Sequence, residues 1–229
     1  MYSERVFLYG EALWRSEDSA GGAVVPADGC VDLILRDGRV EVAGPSTRWL
    51  ATGRDGATGS FGFRMQPGRA RLLLGLDLDL AVIADQLRPL DDVTDRRTAA
   101  RLREAMIPLE TGPAPIGTLA TFSAQLSEAS RWSDAVRRAA FEATPARDVA
   151  ATLSGSERSF RRRMLATFGY GYATLVRLDR AHHARSLLRS GSSIADVAAS
   201  AGYADQPHLS REFRRLVGSS PAQFAASAA

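Results

Sequence analysis

The chain has 229 residues, room for one large or two small domains, and its 45% apolar and 24% charged content is ordinary for a globular protein with real cores. No apolar run reaches the roughly 18 residues of a membrane span, the opening MYSERVFLYGE is not expected to act as a leader, and the lone Cys30 cannot make an internal disulfide, so a reducing, cytoplasmic setting is expected. The net charge of +3 is uneven: residues 147–229 hold 12 Arg against 6 Asp and Glu, which leaves −3 for residues 1–146 and points the C-terminal part toward an anionic partner, foremost nucleic acid.

In chain order, GGAVV, CVDLILR, RVEVAG and SFGFRM read as short strands. Asp37-Gly38 sits between two of them as a hairpin turn, and Pro26–Gly29, Gly44-Pro45 and Pro67-Gly68 mark further turns. ARLLLG and LAVIADQL have apolar spacing compatible with short helices, although LLLG alone also suits a strand. A helix is predicted from Thr94 to Met106, stopping before Pro108. GPAPIG reads as a loop, Thr118–Leu126 as a further helix, and everything beyond Ser130 as helical. The boundary is placed between residues 112 and 132, giving a β-rich domain at 1–125 and a helical one at 130–229. The expected class is α+β.

The helical part contains an approximate repeat. ARDVAATLSGSERSFRRRMLATFGYG aligns with SIADVAASAGYADQPHLSREFRRLVGSSP, matching Val149-Ala150 to Val197-Ala198 and Ser154 to Gly202. Val197, Ala198 and Ala201 share one helical face, and Gly202 ends that helix where a left-handed residue is cheap. A second helix follows from Asp205 or Gln206, with Leu209, Phe213 and Leu216 inward. In the first copy Phe160, Met164 and Phe168 take the inward places. Ser156 and Asp205 are candidate N-caps. Helix, tight turn, helix is the helix-turn-helix unit, and two in tandem joined by a helix over Ala173–Arg189 is a strong signal.

These residues resemble the DNA-binding domain of AraC/XylS-type transcriptional regulators over roughly residues 130–226. The resemblance is carried by Ile194, Ala195, Val197, Ala198, Gly202, Tyr203, Asp205, Gln206, His208, Leu209, Arg211, Phe213, Arg214, Gly218, Pro221 and Phe224, and upstream by Ser156, Arg158, Arg162, Gly169, Arg177, Arg180, Ala184 and Leu187-Leu188. It implies about seven helices in two lobes, reading successive major-groove segments of double-stranded DNA. By position it puts Arg158, Arg161 and Arg162 on the first reading helix and Gln206, Pro207, His208, Arg211 and Arg215 on the second. Val149, Ala150, Phe160, Ile194, Val197, Ala198, Gly202, Leu209 and Phe213 are the implied framework. The sequence departs from the family pattern at Ser154 (turn glycine of the first unit), Pro207 (usually small and polar) and Tyr172 (usually proline).

The resemblance further implies a bacterial regulator associated with the nucleoid, with RNA polymerase as a partner. Residues 2–92 resemble the small β-rich, barrel-like domain of unassigned function that precedes this module in one AraC subgroup. A sensory or oligomerising role is therefore expected there: a small-molecule effector in an apolar cavity lined from CVDLILR and FGFRM, or a homodimer contact. The effector's identity and its residues are left open.

Each reader also has a plainer explanation. The arginines suit the solvated face of an amphipathic helix, and His208 suits a backbone cap. Arg177, Arg180 and Arg185 suit salt bridges as well as phosphates. His182 and His183 are adjacent and point apart on a helix, so no metal pair is expected. Cys30 reads as packing; an alkyl-acceptor role in DNA repair would need Pro-Cys-His-Arg surroundings that it lacks. Asp77 and Asp79 have no companion nucleophile, and GRDGATGS lacks the Lys-Ser/Thr of a phosphate loop. No cofactor and no catalysis are expected; the competing reading is a helical module for protein contacts alone.

Overall fold

The structure, a computed structural model, describes residues 2–17, 23–111 and 116–228. Gly21-Gly22 of GGAVV and residues 112–115 of GPAPIG lie outside them. The strands are β1 (Tyr2–Val6), β2 (Ala12–Ser16), β3 (Val24–Val25), β4 (Val31–Arg36), β5 (Arg39–Ala43), β6 (Leu50–Ala51), β7 (Ser60–Met65) and β8 (Leu87–Pro89). Six form an antiparallel sheet in the order β1-β2-β7-β4-β5-β8, while β3 and β6 pair separately. Between β4 and β5, Asp37 and Gly38 both have positive φ, 49° and 71°, which is the tight hairpin turn that Asp-Gly favours.

Period-two alternation gives the sheet two different faces. Val31, Leu33, Leu35, Phe61, Phe63 and Met65 point to one side. Helices α1 (Arg71–Leu74), α2 (Arg96–Met106), α3 (Pro108–Thr111) and α4 (Ile116–Ala129) cover them with Leu73, Leu74, Leu102, Met106, Leu119 and Leu126. Leu33, Leu35 and Phe63 are fully enclosed, each contributing ~1.5–3 kcal/mol of burial. Asp32, Ile34, Arg36, Ser60 and Arg64 point to the other side and line a cavity of about 500 Å³.

Among the described residues the sheet does not close into a barrel: β1 and β8 are its edges, and β8 is three residues long and ends on Pro89, which has no N–H to extend a ladder. The apolar residues of CVDLILR and FGFRM pack against helices, and the opposite, mixed face of those strands lines the cavity. LAVIADQL forms only a single 3-10 turn, Leu80–Ile83, before β8 begins at Leu87. The helix expected from Thr94 begins at Arg96, because Asp95 caps it by accepting from the amides of Arg97 and Thr98.

Residues 131–228 fold as α5 (Arg131–Phe141), α6 (Ala146–Ser154), α7 (Glu157–Phe168), α8 (Tyr172–Arg189), α9 (Ile194–Ser200), α10 (Gln206–Val217) and α11 (Pro221–Ala228). One apolar cluster joins them, with Phe168, Phe213, Val197, Leu209 and Leu216 at its centre. Ala27 belongs to the same cluster, and its amide donates to the Leu216 carbonyl at 2.7 Å.

The two parts are also joined through a buried ionic hub. Arg69 donates to Glu11 at 2.8 Å and to Asp134 at 2.9 Å. Glu11 also accepts from Ser123 at 2.6 Å, Arg137 donates to Gln66 at 2.7 Å, and Ser133 donates to the Gly68 carbonyl at 2.7 Å.

Candidate nucleic-acid interface

The helix pairs α6–α7 and α9–α10 are built by the same local chemistry. Helix α6 ends at Ser154, and Gly155 takes the left-handed conformation at φ 71°, with no atom of the described residues near its missing side chain. The alignment of Ser154 with Gly202 is thereby corrected: the first copy keeps its left-handed glycine one residue later, and Ser154 remains helical. Ser156 then caps α7, accepting from the Ser159 amide at 3.2 Å. In the second copy Gly202 has φ 75°, and Asp205 caps α10 by accepting from the His208 amide at 2.6 Å. Pro207 falls in the first turn of α10, where a missing N–H costs no hydrogen bond. Tyr172 opens α8, packs on Phe160 and donates its hydroxyl to the Thr144 carbonyl at 2.9 Å, a tie that a proline could not make.

The inward stripes are as the sequence predicts. Val149, Ala150, Phe160, Val197, Ala198, Leu209 and Phe213 are buried, and Ile194 packs against them partly exposed. The outward faces carry the predicted readers. Arg158, Arg161 and Arg162 are exposed within the first two turns of α7; Gln206, Pro207 and Arg211 are exposed within the first two turns of α10. Both helices present polar, arginine-rich surface beside an N-terminus whose leading amides suit an anion.

Two predicted readers sit differently. His208 is half-buried; its ring packs edge-on against Tyr203, and its Nδ1 accepts from the Ala204 amide at 3.4 Å. It fastens the turn before α10. Arg215 lies in the last turn of α10, exposed but remote from that helix's start, and its carbonyl accepts from the Trp49 amide at 3.4 Å.

Other side chains resolve into supports. Arg177 pairs with Glu212 at 2.9 Å, tying α8 to α10, and Arg180 lies against Gly202. Arg163, which the sequence reading passed over within its arginine run, stacks over Trp132 with its guanidinium carbon 4.0 Å from the ring centroid. The N-terminal contacts to α10 also escaped the sequence, since neither Ala27 nor Trp49 carries a local signal for a partner so distant along the chain.

Cys30 is 7% exposed, and burial, followed by the charge of Asp28, pushes its thiol well above the ordinary value. Such a thiol is a poor nucleophile. His182 and His183 are exposed, and among the described residues no group of three or more His, Cys, Asp or Glu side chains could hold a metal. Among the described residues no helix is long and apolar enough to cross a membrane.

A family model described as a helix-turn-helix domain matches residues 149–227, a span that takes in both helix pairs and the helix between them. No curated protein matches the chain. Among solved structures the chain is similar to ToxT of Vibrio cholerae bound to a methylnaphthalenyl-butenoic acid, at 12% identity and a TM-score of 0.43, over 100% of this chain and 94% of that one. Another ToxT structure gives 12% identity and a TM-score of 0.44 over 98% of each chain. At these values the likeness is distant.

Proposed function

We propose that the chain is a sequence-specific regulator of transcription of the AraC/XylS type, in which residues 130–229 bind double-stranded DNA and residues 1–125 modulate them. The observation that carries this is the helix-turn-helix family match over residues 149–227. The exposed arginines in the opening turns of these helices, Arg158, Arg161 and Arg162 on α7 and Arg211 on α10, support it, because guanidinium forks suit both phosphates and guanine edges. Arg158, Arg161 and Arg162 are the contact set on α7; Gln206, Pro207 and Arg211 are the set on α10. Helix α8, with 18 residues, spans about 27 Å at ~1.5 Å per residue, a length compatible with two readers about one ~34 Å DNA turn apart. The hydrogen bonds from Ala27 and Trp49 to the end of α10 give the N-terminal half a direct hold on one reader.

The test is selection of duplexes from a random pool, followed by binding curves on selected and scrambled duplexes at several salt concentrations. Arg161→Ala and Arg211→Ala should each weaken the selected duplex by ~1–3 kcal/mol if the side chain forks onto guanine. A phosphate contact would weaken both duplexes alike and lower the salt slope by about one. If no duplex is enriched and neither substitution alters binding, the helical half is a module for protein contacts.

A further inference from the structure

The mixed face of the sheet lines a cavity in which apolar and charged side chains are segregated. The cavity of about 500 Å³ is walled by Trp14, Ile34, Val25, Leu50 and Leu87, with Tyr2 at its rim. Gly62 lies directly across from Trp14 in the strand pairing, and a side chain there would overlap the indole, so the glycine lets the ring lie over the sheet.

One end of this face carries a cluster of carboxylates, while a single one, Asp55, lies at the other end and accepts from Ser16 at 2.9 Å. Asp32, buried within it, accepts from the Trp14 indole N–H at 2.6 Å and from Arg64 at 3.2 Å. Asp28 approaches the same guanidinium at 3.5 Å and Glu4 at 3.9 Å, so three carboxylates share one arginine. Burial, ahead of every other cause, pushes the Asp32 carboxyl up, and Asp28 adds to the rise while Arg64 opposes it. The other arginine of the cavity, Arg36, is already engaged by Glu41 at 2.7 Å.

At the far end of the same strand face stands Ser60, 4% exposed, with a hydroxyl that has no hydrogen-bond partner among the described residues. An orphaned buried hydroxyl is destabilising unless a guest satisfies it. Asp32 pairs with Arg64 across the β4–β7 ladder, and Ser60 is four residues before Arg64. At ~3.3 Å per residue the two poles are about 13 Å apart, with apolar wall between them.

We infer that this cavity binds an elongated organic cation, an amine or amidine head set against Asp32 and Asp28 and an apolar or aromatic body running past Trp14 and Ile34 toward Ser60. This deepens the proposed modulation and rests on it for its consequence in the cell. Val25 and Leu50 line the cavity, while their neighbours Val24 and Trp49 pack on Gly218 at the end of α10. Occupancy therefore bears on the second reading helix through a single intervening layer.

The test is calorimetric titration of the full chain, without DNA, with phenylbutylamine, phenylbutanol and phenylbutyrate, which share a body and differ in charge. The amine should bind at least about tenfold more tightly than the acid, with the alcohol between. Asp32→Asn should remove the preference for the amine, and Ile34→Phe, which fills the middle of the cavity without altering charge, should weaken amine and alcohol together. If Asp32→Asn loses its cooperative melt, Asp28→Asn takes its place with the same expected loss of preference. The inference is overturned by tighter binding of the acid, by no heat from the amine at millimolar concentration, or by amine binding indifferent to these variants. Because no duplex is present, any of these results leaves the DNA reading untouched, and a failure to bind DNA leaves the cavity result standing.

Discussion

The amide of Ala27 donates to the carbonyl of Leu216 at 2.7 Å, joining the segment before β4 to the last turn of α10. The bond satisfies a carbonyl that the ending helix leaves without an intrahelical partner. Trp49 repeats the arrangement one residue earlier, donating to Arg215. The C-terminus of α10 is thus finished by the N-terminal half of the chain rather than by its own sequence alone.

Gly218 is where that junction can be tested. It is left-handed at φ 83°, and an added Cβ would stand 2.8 Å from Val24 and 3.1 Å from Trp49. Gly218→Ala pays the left-handed penalty of about 1–2 kcal/mol and also presses the two halves apart. A loss of ~2 kcal/mol or more in denaturant unfolding is expected, larger than for Gly155→Ala, which carries a similar left-handed cost but has open space around it among the described residues. Equal losses at the two glycines would show that the junction carries no strain.

Arg69 and Glu11 form an ion pair almost wholly out of water, with side chains 6% and 0% exposed. Asp134, Ser123 and the Tyr9 carbonyl complete the set of partners. Removing one member leaves its partner charge buried, which costs about 3–5 kcal/mol. Arg69→Ala should therefore unfold at markedly lower denaturant than Arg71→Ala, a neighbour outside the hub. Arg69→Met together with Glu11→Leu, Asp134→Leu and Arg137→Met, which removes every charge of the hub, should recover part of the loss.

Cys30 gives a pH signature. Its thiol is raised in the fold by burial, so the unfolded chain gives up that proton first. Below the unfolded value of about 8.5 the group contributes no slope; above it, stability falls as pH rises. Tyr170, also raised by burial, acts in the same direction but only from about pH 10. Melts between about pH 8 and 9.5 should fall less steeply for Cys30→Ala than for the parent chain. Alkylation of Cys30 should be slow in the native protein and complete after denaturation; rapid native alkylation would contradict the burial.

What the sequence disclosed was what local chemistry decides. Asp37-Gly38 turns as it must, Ser156 and Asp205 cap helices through amides three residues on, and the stripes through Phe160 and Leu209 face inward because spacing alone puts them there. Pairings over long separations were illegible. Nothing near Arg69 names Glu11, nothing near Ala27 names Leu216, and the pairing of the two-residue strands β3 and β6 has no pattern to betray it. The one-residue offset of Gly155 shows the limit of repeat alignment: two turns of different length can serve equivalent helix pairs. At the candidate interface the exposed arginines were legible as a class, whereas the fastening role of His208 depended on Tyr203 and Ala204 coming back to meet it.

The two ends of α10 should separate in a binding experiment. Arg211 lies on the second turn, exposed beside the amides that Asp205 only partly satisfies; Arg215 lies on the last turn next to Glu212 and the Trp49 contact. On the proposed reading, a groove-inserted helix start makes Arg211→Ala cost ~1–3 kcal/mol on a selected duplex and relax the preference at one base step. Arg215→Ala should leave that preference intact and at most lower affinity on all duplexes alike. Asp205→Ala provides the structural control: loss of the cap costs about 0.5–2 kcal/mol of stability, and raising the fraction folded with a stabilising osmolyte should restore its binding but not that of Arg211→Ala. If Arg215→Ala instead changes base preference while Arg211→Ala does not, α10 meets DNA by its other end, and the Trp49 junction would have to open for it to do so.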